Sequence, residues 1–130
     1  MPADSKTKKT ILTLTNNKKN KEPTVLVTAY DYPQARIADM SGVDCILIGD
    51  SLGMTTLGHK TTIPVRMDNM ITSGEAVSRG AQNALIIGDM PYMSYQPSDQ
   101  IAVENAGRFI VSGCDMVKVE GAMTDRIKAI

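Results

Sequence analysis

Four short apolar runs punctuate the chain: Val25-Leu26-Val27-Thr28-Ala29-Tyr30, Cys45-Ile46-Leu47-Ile48, Ala84-Leu85-Ile86-Ile87 and Met116-Val117-Lys118-Val119. They are mostly continuous rather than alternating, rich in β-branched residues and bounded by glycine or acidic residues, which is the pattern of strands buried on both faces of a parallel sheet. Helical patterns fill the gaps. Pro33 to Met40 opens with a proline suited to a first helical turn, and Gly42 follows as a stop. Met67, Met70, Ile71, Gly74 and Val77 fall on one face of a helix, with Asp68 in its first turn. Ser98 is placed to cap a third helix from Asp99 to about Val111, which Gly113 ends. Two turns that feed strands are alike, Ser41-Gly42-Val43-Asp44 and Ser112-Gly113-Cys114-Asp115. The order is βαβαβαβ, an α/β chain with right-handed crossovers expected.

Composition narrows the class. Hydrophobic residues make up 42% and charged residues 22% of the 130, an ordinary globular mix that argues against a disordered tail or a collagen-like repeat. The 14 Lys+Arg balance the 14 Asp+Glu, so no global basic excess points to nucleic acid. The balance is uneven along the chain. Residues 1 to 22 hold six lysines (Lys6, Lys8, Lys9, Lys18, Lys19 and Lys21) against Asp4 and Glu22, whereas residues 23 to 130 hold eight basic and twelve acidic side chains. The division predicts a basic N-terminal extension over 1–23 and a folded unit over 24–130. The extension has no arginine and no aromatic residue, so it reads as a solvated arm with one helical turn around Ile11 to Leu14. Cys45 and Cys114 form no Cys-x-x-Cys and read as small buried thiols. No apolar stretch reaches the ~18 residues of a membrane span, and the N-terminus lacks the apolar core of a secretory signal, so a cytoplasmic protein is expected.

The chemistry gathers at one end of the predicted sheet. Each strand runs into an acid: Asp31 after Tyr30, Asp50 after Gly49, Asp89 after Gly88 and Glu120 after Val119. In parallel α/β folds the βα loops collect at that end and build the binding site. Asp31, two residues before Pro33, reads as a helix cap. Asp50 and Asp89 follow a strand and an uncrowded glycine, and read as ligands for a hard cation such as Mg²⁺. Lys118 and Glu120 are two apart and share one face of their strand, opposite Val117 and Val119. The pair reads either as a structural ion pair or as a cation for an anionic substrate beside a carboxylate that steadies the metal shell. His59, the single histidine, lies in a Gly58-His59-Lys60 loop and reads as a surface or packing residue. Met54, Met90 and Met93 fall in rim loops and are expected to wall a small apolar pocket. The glycines at 49 and 53 lack the Gly-Lys-Ser/Thr of a phosphate loop.

Six motifs in order then resemble one family. They are Thr28-Ala29-Tyr30-Asp31-Tyr32, Gly49-Asp50-Ser51-Leu52-Gly53-Met54, Gly58 through Pro64, Asp89-Met90-Pro91-Tyr92-Met93-Ser94-Tyr95, Glu104-Asn105-Ala106 and Val117-Lys118-Val119-Glu120-Gly121. The chain from Thr24 to about Gly121 is thereby similar to ketopantoate hydroxymethyltransferases. The resemblance implies a (β/α)₈ TIM-type barrel, of which these four strands form the N-terminal half. It implies transfer of a hydroxymethyl group from 5,10-methylenetetrahydrofolate to 3-methyl-2-oxobutanoate, giving 2-dehydropantoate in pantothenate biosynthesis. Asp50 and Asp89 would be direct Mg²⁺ ligands, with Glu120 reaching the metal through water or as an outer ligand. Asp50, Ser51, Asp89 and Lys118 would hold the 2-oxo acid, with Lys118 and Glu120 the catalytic side chains. A homo-oligomer is expected for the full-length form, with no nucleic-acid or membrane partner.

Some positions depart from the family pattern: Gly88 where alanine is common, Tyr92 where phenylalanine is common, and Ala122 in place of a second glycine after Gly121. A full barrel needs ~250 residues. The sequence therefore reads as truncated after the fourth strand, without the glutamate that serves the family as general base, and the chain alone is expected to self-associate through open edges and to be inactive. Two other readings share parallel strands ending in acids: a 2-oxo-acid carbon-bond enzyme of the phosphoenolpyruvate mutase and isocitrate lyase type, and a receiver-like signalling domain.

Overall fold

The structure, a computed structural model, describes residues 7–130. Lys6 and the residues before it in the basic extension lie outside the described residues. The elements run α1 (Ile11–Asn20), β1 (Leu26–Thr28), α2 (Tyr32–Met40), β2 (Cys45–Ile48), α3 (Leu52–Thr55), α4 (Met67–Gly80), β3 (Leu85–Asp89), α5 (Asp99–Val111), β4 (Met116–Lys118) and α6 (Thr124–Ala129). All three strand pairings are parallel, and the strands stand in chain order β1-β2-β3-β4. That order matches successive βα units of a barrel wall. It excludes the receiver reading, because flavodoxin-like sheets place the first strand between the second and third.

The helices start and stop where their end residues dictate. Asp31 caps α2 by accepting from Gln34 N–H at 2.8 Å, and Pro33 sits in the first turn. Ser98 caps α5 through Ile101 N–H at 3.2 Å. Gly42 and Gly113 follow the C-terminal ends of α2 and α5 with φ of 83° and 99°, a backbone that glycine adopts without a Cβ penalty. On α4 the predicted face holds: Met70, Gly74 and Val77 are buried, and Met67 and Ile71 are half-buried against the core.

Helices cover one face of the sheet. Ile46, Ile48 and Ile86 pack there with Phe109, Val77 and Met70, all essentially without exposure. Gly88 belongs to this face, and a Cβ on it would stand 2.3 Å from the Phe109 ring, so the strand needs glycine to let the ring lie flat upon it. The opposite face carries the row Thr28, Leu47, Ile87 and Met116, aligned by register, and none of the four is fully buried. Here the expectation of strands buried on both faces needs correction. It holds most nearly for the central β2 and β3, where Cys45, Leu85 and Asp89 are buried on that face while Leu47 and Ile87 are half-buried, whereas edge strands β1 and β4 are only partly covered because each has a single neighbour.

At the N-terminal end of the strands the two similar turns perform the same task. Asp44 N–H donates to Val25 C=O at 3.0 Å while its carboxylate accepts from Val25 N–H at 2.9 Å. Asp115 does the same with Ile86, at 2.8 Å in each direction. Lys9 reaches Asp44 at 3.2 Å and Lys8 reaches Asp115 at 2.8 Å. Lys8 also donates to Ala84 C=O at 2.7 Å, and Lys9 N–H to Asn83 C=O at 2.6 Å.

The solvated arm with a single turn is thus corrected in its described part. The lysines are drawn in by acids left over at the base of the sheet, and α1 runs for ten residues, its Thr10 N–H bonded to Thr13 Oγ1 at 3.1 Å and Lys18 and Lys19 in the last turn. Cys45 and Cys114 are buried free thiols, and burial pushes the Cys114 thiol up to about 11.

Candidate metal and substrate site

The C-terminal ends of the strands carry the predicted residues to one rim. β3 ends on Asp89, which is paired in register with Lys118 of β4, so both side chains leave the sheet on the face away from the helices. Lys118 Nζ lies 2.7 Å from Asp89 Oδ1 and 2.7 Å from Glu120 Oε1. Asp89 Oδ2 accepts from the Asp50 N–H at 3.3 Å, which draws the exit of β2 against that of β3. Val117 and Val119 pack into the core behind them, as strand alternation demands.

Burial separates the roles of these charges. Asp89 is 3% exposed. Desolvation pushes its carboxyl above the usual carboxylate range, and the Lys118 ammonium and the Asp50 N–H pull it only part of the way back. Lys118 is held above the usual lysine range: partial burial works against its charge, but the bonds to Asp89 and Glu120 outweigh it. Glu120 stands in the open, and Lys118 holds its carboxyl below the usual range.

Asp50 completes the rim. Among the described residues nothing donates to its carboxylate, and it lines a cleft of about 340 Å³ with Thr62, Met90, Tyr95 and Glu120. Three carboxylates face one ammonium, so the rim carries a formal negative excess, with oxygen donors left free for a hard cation. Among the described residues, however, no three His, Cys, Asp or Glu side chains close on one point. Asp50 and Asp89 are brought together, and Glu120 joins them only through Lys118.

Two tyrosines take part that were not assigned a role from the sequence. The Tyr30 hydroxyl is 2.8 Å from Ser51 Oγ. The buried Tyr95 hydroxyl accepts from Glu120 N–H and donates to Glu120 C=O, both at 3.0 Å, which fixes the exit of β4. Arg126 of α6 donates in turn to Tyr95 C=O at 3.1 Å. Both tyrosines lie inside quoted motifs, but their partners are 21 and 25 residues away, beyond any local spacing rule.

Of the methionines expected to wall the pocket, only Met90 lines the cleft. Met54 and Met93 are about half exposed, and Tyr92, Ile63 and Gln96 take the remaining wall. Met93 sits at φ 64°, so the chain turns there and carries its side chain outward. His59 is half-buried in its loop, its main-chain N–H donating to Gly53 C=O at 2.8 Å.

Among solved structures, 2,3-dimethylmalate lyase, a PEP mutase/isocitrate lyase superfamily member, superposes with a TM-score of 0.67 at 17% identity over 91% of this chain and 45% of that one. Phosphonopyruvate hydrolase, crystallised with oxalate and Mg++, gives 0.65 at 10% identity over 80% and 36%. These likenesses establish the fold, a parallel β/α wall that makes up part of a barrel.

Sequence relatives are much nearer. The 3-methyl-2-oxobutanoate hydroxymethyltransferase of Thermotoga neapolitana is 55% identical over 103 residues, 79% of this chain and 38% of that protein. That of Aeropyrum pernix is 48% identical over 132 aligned positions, 100% of this chain and 47% of the relative. The chain thus spans somewhat less than half the length of the curated relatives it matches. A family model described as ketopantoate hydroxymethyltransferase matches residues 8–130. With that match running from the lysine clasp through all four strands and the rim, the chain belongs to the ketopantoate hydroxymethyltransferase family.

Proposed function

We propose that this rim binds a 2-oxo acid together with Mg²⁺ and serves transfer of a hydroxymethyl group from 5,10-methylenetetrahydrofolate to 3-methyl-2-oxobutanoate, yielding 2-dehydropantoate for pantothenate biosynthesis in the cytoplasm. The observation that carries the reading is the Asp50–Asp89–Lys118–Glu120 constellation: a buried carboxylate bonded to a lysine, with an unpartnered carboxylate next to it on an open cleft. Asp50 and Asp89 would hold the cation, and Glu120 would act on it from outside. When bound, the cation supplies Lewis acidity toward the 2-oxo oxygen and so acidifies the neighbouring C–H.

The chain's own residues do the rest of what is proposed here. The Lys118 ammonium, fixed by two carboxylates, offers positive charge to an arriving substrate carboxylate and steadies negative charge that develops on the acid. Ser51 Oγ donates a hydrogen bond to the same anion. Asp89 keeps Lys118 charged and aimed, and Glu120 holds it from the other side. The base that removes the C–H proton is expected on a strand beyond these four. That phosphonopyruvate hydrolase, on the same fold, was solved with a dicarboxylate anion and Mg++ is in keeping with this pairing of ligand and ion.

The test is calorimetric titration of the chain with 3-methyl-2-oxobutanoate, with and without Mg²⁺. Binding that requires Mg²⁺ is expected. Binding indifferent to the cation, or none, refutes the site.

A further inference from the structure

We infer that Tyr30 is a positioning residue of this site, acting through Ser51, whose hydroxyl it turns toward the bound anion; the inference rests on the role given to Ser51 above. The two residues leave neighbouring strands, Tyr30 after β1 and Ser51 after β2, and their oxygens are 2.8 Å apart with either able to donate. Such a pair has two proton arrangements. In one, Ser51 donates to the phenol and shows the site only lone pairs. In the other, the phenol donates to Ser51, whose own proton is then free for the site. A carboxylate accepts only, so it selects the second arrangement. Donation from the phenol also polarises the Ser51 O–H and makes it a better donor.

The surroundings fix the geometry on both sides. Tyr30 N–H donates to Gln34 Oε1 at 3.0 Å, and the next residue, Asp31, caps α2, so the phenol stands on anchored backbone. On the other side a Cβ at Gly49 would come within 2.9 Å of Ser51 Oγ, so the bare Cα of Gly49 leaves the room this rotamer needs. A serine on an open loop spreads over three staggered wells. Here one well is held between a glycine and a phenol.

The experiment is a double-mutant cycle on the 130-residue chain, reading the affinity for 3-methyl-2-oxobutanoate at saturating Mg²⁺ by calorimetry, with melting curves alongside. Ser51→Ala is expected to weaken binding about 10-fold, the loss of one hydrogen bond to a charged group, and Tyr30→Phe by up to the same factor, because it misaims that same bond. The double variant is expected to bind no more weakly than Ser51→Ala alone, because Tyr30 works through that hydroxyl. Gly49→Ala gives an independent reading: it crowds Ser51 Oγ while keeping both hydroxyls, and should also weaken binding.

Wild-type affinity in Tyr30→Phe, or losses that multiply to about 100-fold in the double variant, overturns the inference while leaving the site standing. An unchanged Ser51→Ala, or a wild-type chain that does not bind the 2-oxo acid, overturns the reading of Ser51 and the inference with it.

Discussion

Acids stand at both ends of this sheet, and what separates the two ends is how completely each acid is engaged. At the N-terminal end, Asp44 and Asp115 accept main-chain N–H groups and lysines, and the buried Asp39 accepts from Asn83 N–H, Asn83 Nδ2 and Ala84 N–H at 2.7 to 2.9 Å. At the C-terminal end, among the described residues nothing donates to the Asp50 carboxylate, and Asp89, though bonded to Lys118 and the Asp50 N–H, is buried at a net cost to its charge. A larger cleft, about 430 Å³, lies at the N-terminal end beside Lys8, Lys9 and Asp39, but these charges are already taken up by Asp115, Asp44 and Asn83. Unspent valence, rather than cavity size or residue type, marks the end proposed above to bind the 2-oxo acid and its cation.

Removing acids from each end is the strongest way to break this comparison. Asp50→Asn or Asp89→Asn should abolish divalent-cation binding, measured with Mn²⁺ by electron paramagnetic resonance, while Glu120→Gln weakens it about 10–100-fold as an outer-shell change does. Asp89→Asn should not lower the melting temperature, since it removes a charge that burial disfavours. If Asp44→Asn abolished cation binding equally, the two ends would not differ in the way described.

Next in size is Asp39→Ala, expected to cost about 3 kcal/mol because buried N–H groups lose a charged acceptor, with cation affinity unchanged. Burial works against the Asp39 charge, but the bonds from Ala84 and Asn83 outweigh it and hold the carboxyl below the usual range. The unfolded chain therefore binds a proton more readily than the folded one. The stabilisation from Asp39 is full above the ordinary aspartate value, about 3.9, and is lost as pH falls through the lower folded value. Denaturant melts below about pH 4 should show a shallower acid dependence in Asp39→Ala than in the wild type.

The smallest effect belongs to the lysines. Lys8 and Lys9 are more than one-third exposed, so Lys8→Ala or Lys9→Ala should cost only about 0.5–1 kcal/mol in denaturant melts, less at high salt.

The pattern of apolar runs, the end residues of α2 and α5 and the buried face of α4 were legible because those signals are local: a cap and its helix, or an i, i+3, i+4 face, are a few residues long. The gathering of Asp50, Asp89, Lys118 and Glu120 on one rim was legible for a related reason, each lying within two residues of a strand whose end could be read. The bonding of Asp44 and Asp115 was not, although their turns were seen to be alike, because an acid at the start of a strand looks no different from one at its finish until its acceptor sites are counted. The docking of Lys8 and Lys9 depends on partners at residues 115 and 44, and the two tyrosine hydroxyls on partners 21 and 25 residues away. Such distances carry no periodic signal. The shortness of β1 and β4 follows from their place at the sheet edges, which the residues of those strands do not encode.

The reciprocal bonds of Asp44 with Val25 and of Asp115 with Ile86 bear on how the chain folds. Each ties the turn before one strand to the start of the strand preceding it, so β1 with β2, and β3 with β4, each close through one helical crossover and one latch. A parallel pair is slow to find its alignment because its ends are distant in sequence. A latch that only the correct alignment can close selects that alignment in each pair separately. Each pair thus carries its own register latch, with consecutive lysines fastening one to each, and the amide protons of Val25 and Ile86 are expected to exchange as markers of the two latches.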